Sequence, residues 1–155
     1  MKKGAFTMME MIFVIVILGI LAAIAIPRYL AMRDASHEAI LISFVRTLNR
    51  TTGEDLWARS ISEGKHGKIS QLESVEGKDF LKNYITIPNE INSSSIDLTN
   101  CGNGEYKTIM TVDSSKVGGE YNITCKDGSD IHAPYFKLIR LRDHKVLVSR
   151  DVNDN

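Results

Sequence analysis

An α+β protein is expected from this sequence: a long N-terminal helix, half suited to a membrane and half amphipathic, packed on a small antiparallel β-sheet. Three observations predict it. Residues 6–26 form a 21-residue apolar stretch whose only charge is Glu10. After Pro27 the apolar residues recur at helical spacing. From residue 105 onward, short alternating runs are separated by turn-forming residues, the pattern of a meander.

The first stretch is long enough to matter. At about 1.5 Å per residue it spans roughly 30 Å, the thickness of a bilayer core. The rest of the 155-residue chain is polar and rich in turn residues, a size suited to one domain. A fully cytosolic enzyme and a multi-pass membrane protein are both disfavoured. The balance of 19 Lys+Arg against 19 Asp+Glu argues against direct nucleic-acid binding, which usually leaves a strongly basic footprint. A removable secretory signal also fits poorly. The basic start (Lys2, Lys3) is present, but the apolar run is too long and no convincing small-residue cleavage site follows it. The small residues Gly4 and Ala5 instead precede the apolar run, so cleavage there would leave the helix on the mature chain.

Gly4-Ala5-Phe6-Thr7-Met8-Met9-Glu10, followed by the apolar run to Pro27, resembles the N-terminus of type IV pilins and type II secretion pseudopilins. Counting from Phe6, Glu10 is the fifth residue and Pro27 the twenty-second, and both positions agree with the family pattern. Ala5 stands where the family usually has Gly, with Gly4 one step earlier. The resemblance covers roughly the first 35 residues. It implies a pilin-like fold, cleavage by prepilin peptidase between Ala5 and Phe6, and methylation of the new terminus. It also implies storage in the bacterial inner membrane as a single pass with the head in the periplasm. From there the subunit would join a periplasmic or extracellular filament. The implied partners are the peptidase, the lipid bilayer, an inner-membrane assembly platform, and self or other pilin-like subunits.

Glu10 carries the assembly expectation. A carboxylate in an apolar helix costs about 2–3 kcal/mol at mid-bilayer and less near the interface. In the family the matching Glu is held to neutralise the N-terminal amine of a neighbouring subunit; the alternative is a Glu that merely sits at the lipid interface. Pro27 lacks an N–H, so its bond to the Ala23 carbonyl is missing and a kink is expected. Gly19 lowers helix propensity before it. The resemblance implies that the stretch between Gly19 and Pro27 can unwind locally in a filament.

Beyond Pro27 the helix is expected to resume. Leu30, His37, Ile40, Leu41, Phe44, Val45 and Leu48 form one apolar face, and Arg28, Arg33, Asp34, Glu38, Arg46 and Arg50 supply much of the polar remainder. It ends near Thr52-Gly53 or continues through Leu56-Trp57 to about Ser62. The head then begins with loop signals at 65–68 and 76–78, a short helix at 79–84, and an Asn/Ser-rich turn at 91–95. Strands are predicted at 105–112, 120–125, 135–141 and 145–149, with hairpin turns at Gly118-Gly119 and Asp143-His144. The expected organisation is a leader at 1–5, a membrane or filament-core helix at 6–26, an amphipathic continuation at 27–60 and a head at 61–155.

Cys101 and Cys125 are the only cysteines. With the head outside the cytoplasmic membrane they are expected to pair, as oxidising compartments permit; two free, buried thiols are the alternative. Many pilins of the family carry such a bridge near the C-terminus, whereas here about 30 residues follow Cys125.

Enzymatic constellations are missing from the sequence. His37, His66, His132 and His144 are scattered, and Leu41 stands where a zinc-protease helix needs its second His. Asp127-Gly128-Ser129-Asp130 and the run 151–154 offer oxygen donors of the type calcium takes, with Asp127 and Asp130 the candidate ligands. Neither run completes a calcium-loop motif, and solvated turns outweigh a metal site. No other cofactor is expected. The function anticipated is structural: a subunit of a type II secretion-type pseudopilus or related type IV pilus-like filament. Two alternatives stay open, a type IV pilin of a surface fibre for adhesion or DNA uptake, and a membrane-anchored periplasmic binding module.

Overall fold

The computed structural model describes residues 7–73, 75 and 78–150, so the expected processing residues Gly4, Ala5 and Phe6 and the acidic run 151–154 lie outside the described residues. The chain divides into two compact units, Met1–Ser36 and His37–Asn155. Helix α1 runs Met8–Thr47 with Pro27 inside it. Losing one N–H removes a single bond from a long ladder, and the helix continues unbroken across that position.

Helical structure does not stop at Thr47. A five-residue π-helical turn, Leu48–Thr52, follows, and α2 occupies Gly53–Ser62. The sequence left open whether the helix ends near Gly53 or reaches Ser62. It reaches Ser62, through one widened turn. The Gly53 N–H bonds the Leu48 carbonyl five residues back. A Cβ at Gly53 would meet that same carbonyl oxygen and the Phe136 ring, so only glycine fits there.

Sheet order is β1-β2-β3-β4, all antiparallel, with β1 Lys107–Thr111, β2 Tyr121–Lys126, β3 Tyr135–Arg140 and β4 Lys145–Val148. Two irregularities mark the edge strands. Thr108 and Met110 pair with Thr124 and Ile123, leaving Ile109 as an extra residue on β1. Simple alternation therefore breaks, and Ile109 and Met110 are both buried. On the other edge Leu147 is the extra residue of β4.

The head core joins α1's last turns to the sheet. Leu41, Phe44, Val45 and Leu48 are buried with Leu56, Ile109, Ile123, Phe136 and Leu138. The expected helix face is thus narrower than its periodicity suggested: Ile40 is 40% exposed, and His37 is only half-buried. Connections also differ in detail. The expected turn at Gly118-Gly119 is a one-turn helix, α4 Ser114–Val117, started by the Asp113 carboxylate accepting from the Ser115 N–H and ended by Gly118 in the left-handed conformation. The Asp143-His144 turn forms as expected, with His144 at φ 51°. The helix expected at 79–84 is shorter, α3 Lys78–Leu81.

Candidate assembly helix and head

Every residue from 7 to 33 is exposed. The side chains concerned include Phe13, Ile15, Leu18, Ile20 and Leu21, large apolar groups that normally find a partner phase. Among the described residues this is the one helix long and apolar enough to cross a membrane.

Glu10 lies in the first turn of α1. Its backbone N–H donates to Thr7 Oγ1 at 3.3 Å and to the Thr7 carbonyl at 3.1 Å. Thr7 therefore caps the helix, in the S/T-x-x-E spacing typical of helix starts. The sequence reading passed over Thr7, although that spacing was visible. This cap uses the amide of Glu10 and leaves its carboxylate without a partner among the described residues. Gly19 lies in open surroundings: a Cβ there would meet nothing within 4 Å. Packing within the chain does not explain a glycine that costs about 1 kcal/mol of helix propensity relative to Ala. Glu10, Gly19 and Pro27 are thus three features of one exposed apolar helix, spread along its length.

In the head, Cys101 and Cys125 form a disulfide with Cα atoms 4.9 Å apart. It sits where the Gly102 N–H donates to the Cys125 carbonyl and the Asp127 N–H to the Gly102 carbonyl, so the bridge and a two-bond backbone clasp hold the same loop to β2. Asp127 corrects the solvated-turn reading. It is 3% exposed, and its carboxylate accepts from the Ile69 N–H at 2.7 Å, the Ser70 hydroxyl and the Gly128 N–H. It ties residues 69–70 to the loop after β2. Asp130 is exposed and pairs with His66 Nδ1 at 3.0 Å. The two carboxylates thus serve different partners, and no group of three or more potential ligands gathers among the described residues.

Two further clusters were not anticipated. Asn49, in the π turn, places its amide against β3: Phe136 N–H donates to Asn49 Oδ1 at 2.9 Å, and Asn49 Nδ2 donates to the Phe136 carbonyl at 2.8 Å. The side chain stands in for a neighbouring strand where β4 does not reach. Glu38, counted as part of the polar face, instead accepts from Tyr121 Oη at 2.7 Å and from Arg140 Nη1 at 3.0 Å, while Arg140 forks onto Asp143. Burial, reinforced by the Glu38 carboxylate, pushes the Tyr121 phenol up to about 12. The Arg140 guanidinium holds the Asp143 carboxyl down at about 2. No motif signals either cluster, because Asn49 and Glu38 meet strand partners 83 to 102 residues further along the chain.

Compared with protein-family models, with curated proteins and with solved structures, the chain matches none of them.

Proposed function

We propose that this chain is a structural, non-catalytic subunit of a type II secretion-type pseudopilus or related type IV pilus-like filament. It would be processed by a prepilin peptidase at Ala5/Phe6, held in the bacterial inner membrane with its head in the periplasm, and assembled through its N-terminal helix. The observation that carries this reading is the fully exposed apolar helix from Met8, with one acidic residue whose carboxylate is unpartnered among the described residues, continuing in sequence into a disulfide-closed α+β head. An uncompensated carboxylate in an apolar phase is costly, and a cationic group on a neighbouring copy would offset that cost. The open surroundings of Gly19 support the reading too, since small residues let helices approach closely in a membrane.

The experiment is the ratio of sheared filament to membrane-pool subunit for wild type, Glu10→Leu and Glu10→Gln at matched expression. Both variants keep the Thr7 cap, which uses only the backbone N–H. Insertion and cleavage should persist while assembly falls about tenfold or more, in line with losing a buried charge pair. An unchanged ratio with normal function would remove Glu10 from the mechanism and favour an anchored binding module. Intact mass should report an N-terminus at Phe6; cleavage beyond Ala23 would sink the proposal.

A further inference from the structure

A cleft of about 480 Å³ opens in the head between the π turn with the start of α2 and the end of β4. Its charged groups are Arg46, Arg50, Arg150 and Glu54, and Leu147 and Val148 give it an apolar wall. Arg150 is committed: its Nη1 bonds Glu54 Oε1 at 2.7 Å and the Asn49 carbonyl at 2.9 Å. That pair consumes the one carboxylate that lines the cleft among the described residues. Arg46 and Arg50 are exposed, and neither guanidinium has a partner among the described residues.

We propose that this cleft is a docking site for an acidic, extended segment of a partner polypeptide, with Arg46 and Arg50 each taking one carboxylate. Arg46 lies in the last turn of α1 and Arg50 in the π turn that follows, so the two guanidiniums reach the cleft from separate backbone positions. Side chains two apart on an extended chain repeat every ~6.6 Å on the same face. An extended segment with acids at alternate positions can offer one carboxylate to each arginine, and its apolar residues meet the partly exposed Leu147. Guanidinium forks suit carboxylates in this way, holding each through two parallel hydrogen bonds. Fixed positions support the recognition: the π turn that carries Arg50 is held by Asn49 on Phe136, and Arg150 joins the Asn49 carbonyl to Glu54. The inference does not rest on filament assembly, because the cleft belongs to a single head.

Full-length protein in detergent micelles is titrated into a fluorescein-labelled peptide of alternating Glu and Val, with the Gln-for-Glu peptide as control, by anisotropy. The Glu peptide should bind at least about tenfold tighter than the control, and its affinity should fall as salt shortens the screening length. Arg46→Gln with Arg50→Gln should abolish that preference, with the head's thermal transition unchanged because both side chains are exposed. Equal binding of the two peptides, or an unaffected double variant, would overturn the proposal. Complete competition by inorganic phosphate at concentrations near the protein's would also overturn it, by showing a compact-anion site. A gain in peptide affinity in Asp151→Asn with Asp154→Asn would place this chain's own following segment in the cleft and overturn the intermolecular reading.

Discussion

Leu18 and Leu48 lie on one helical stretch, yet Leu18 is 57% exposed and Leu48 is fully buried. Residues 8–26 present apolar side chains on every side of the helix, whereas those after His37 present a stripe that meets a sheet. An all-round apolar helix belongs in a surrounding apolar phase, and a striped one belongs on a core. The same chemistry thus has its partner inside the chain in one region and outside it in the other. The difference places the buried core in the head and leaves the apolar side chains of the N-terminal helix exposed.

Substituting the two leucines tests that division most strongly. Leu48→Ala should lower the unfolding free energy of the head by about 2–5 kcal/mol, since a buried side chain leaves a cavity. Leu18→Ala should leave the head's denaturant midpoint unchanged. A comparable shift from Leu18→Ala would break the comparison, because the first region would then contribute to the head's fold.

Next in size is the disulfide. Closing a loop of this length, with the cysteines 24 residues apart, stabilises by roughly 3.5 kcal/mol in the chain-entropy model. Cys101→Ser with Cys125→Ser should lower the head's melting temperature while leaving membrane insertion unchanged. Peptide mapping without reduction should recover the linked pair from exported protein.

Asn49→Ala should cost about 1–3 kcal/mol, because the Phe136 N–H and carbonyl lose their partner in a buried setting. Hydrogen exchange at the Phe136 amide provides the local readout. Asn49→Asp keeps an acceptor for that amide but loses the donor to the carbonyl, so it should protect exchange only in part.

The smallest effects are pH-dependent and come from the Glu38–Tyr121–Arg140–Asp143 cluster. The Tyr121 pKa is raised in the fold, so its contribution is complete below pH 10 and is lost as pH rises through about 12. Ultraviolet titration should show a late phenol that is absent in Tyr121→Phe. The Asp143 pKa is lowered, so its contribution is present above about pH 4 and lost as pH falls towards 2. Asp143→Asn should flatten that acid limb slightly. Because the cluster belongs to the head alone, neither titration should alter membrane insertion.

Legibility followed the range of each interaction. The apolar run, its lone acid and the four strands were visible because each is a local pattern of spacing. The Cys101–Cys125 pairing was anticipated from the cysteine count and the expected compartment. Asp127 was misread as a solvated turn because its partners, Ile69 and Ser70, are nearly 60 residues away, and a D-x-x-D run looks alike whether it faces water or a buried amide. Glu38 was placed on the polar face because helical spacing reports the direction of a side chain and says nothing of a tyrosine and an arginine waiting there. Ile109 was hidden by a bulge, which adds a residue without leaving a compositional mark.

By itself the sequence determined that one end of this protein carries a helix long and apolar enough to cross a membrane, that the rest folds as helix on sheet, and which two cysteines were available to join. Those properties follow from composition and periodicity, which act over a few turns of helix or a few residues of strand. Tertiary structure alone decided that the helix passes through a π turn, that Asn49 completes the edge of β3, that Asp127 is buried and satisfied, and that Arg46 and Arg50 line a cleft in which Glu54 is already paired with Arg150. Each of these depends on backbone groups brought together from distant parts of the chain, where satisfying a buried N–H or a charge outweighs local preference.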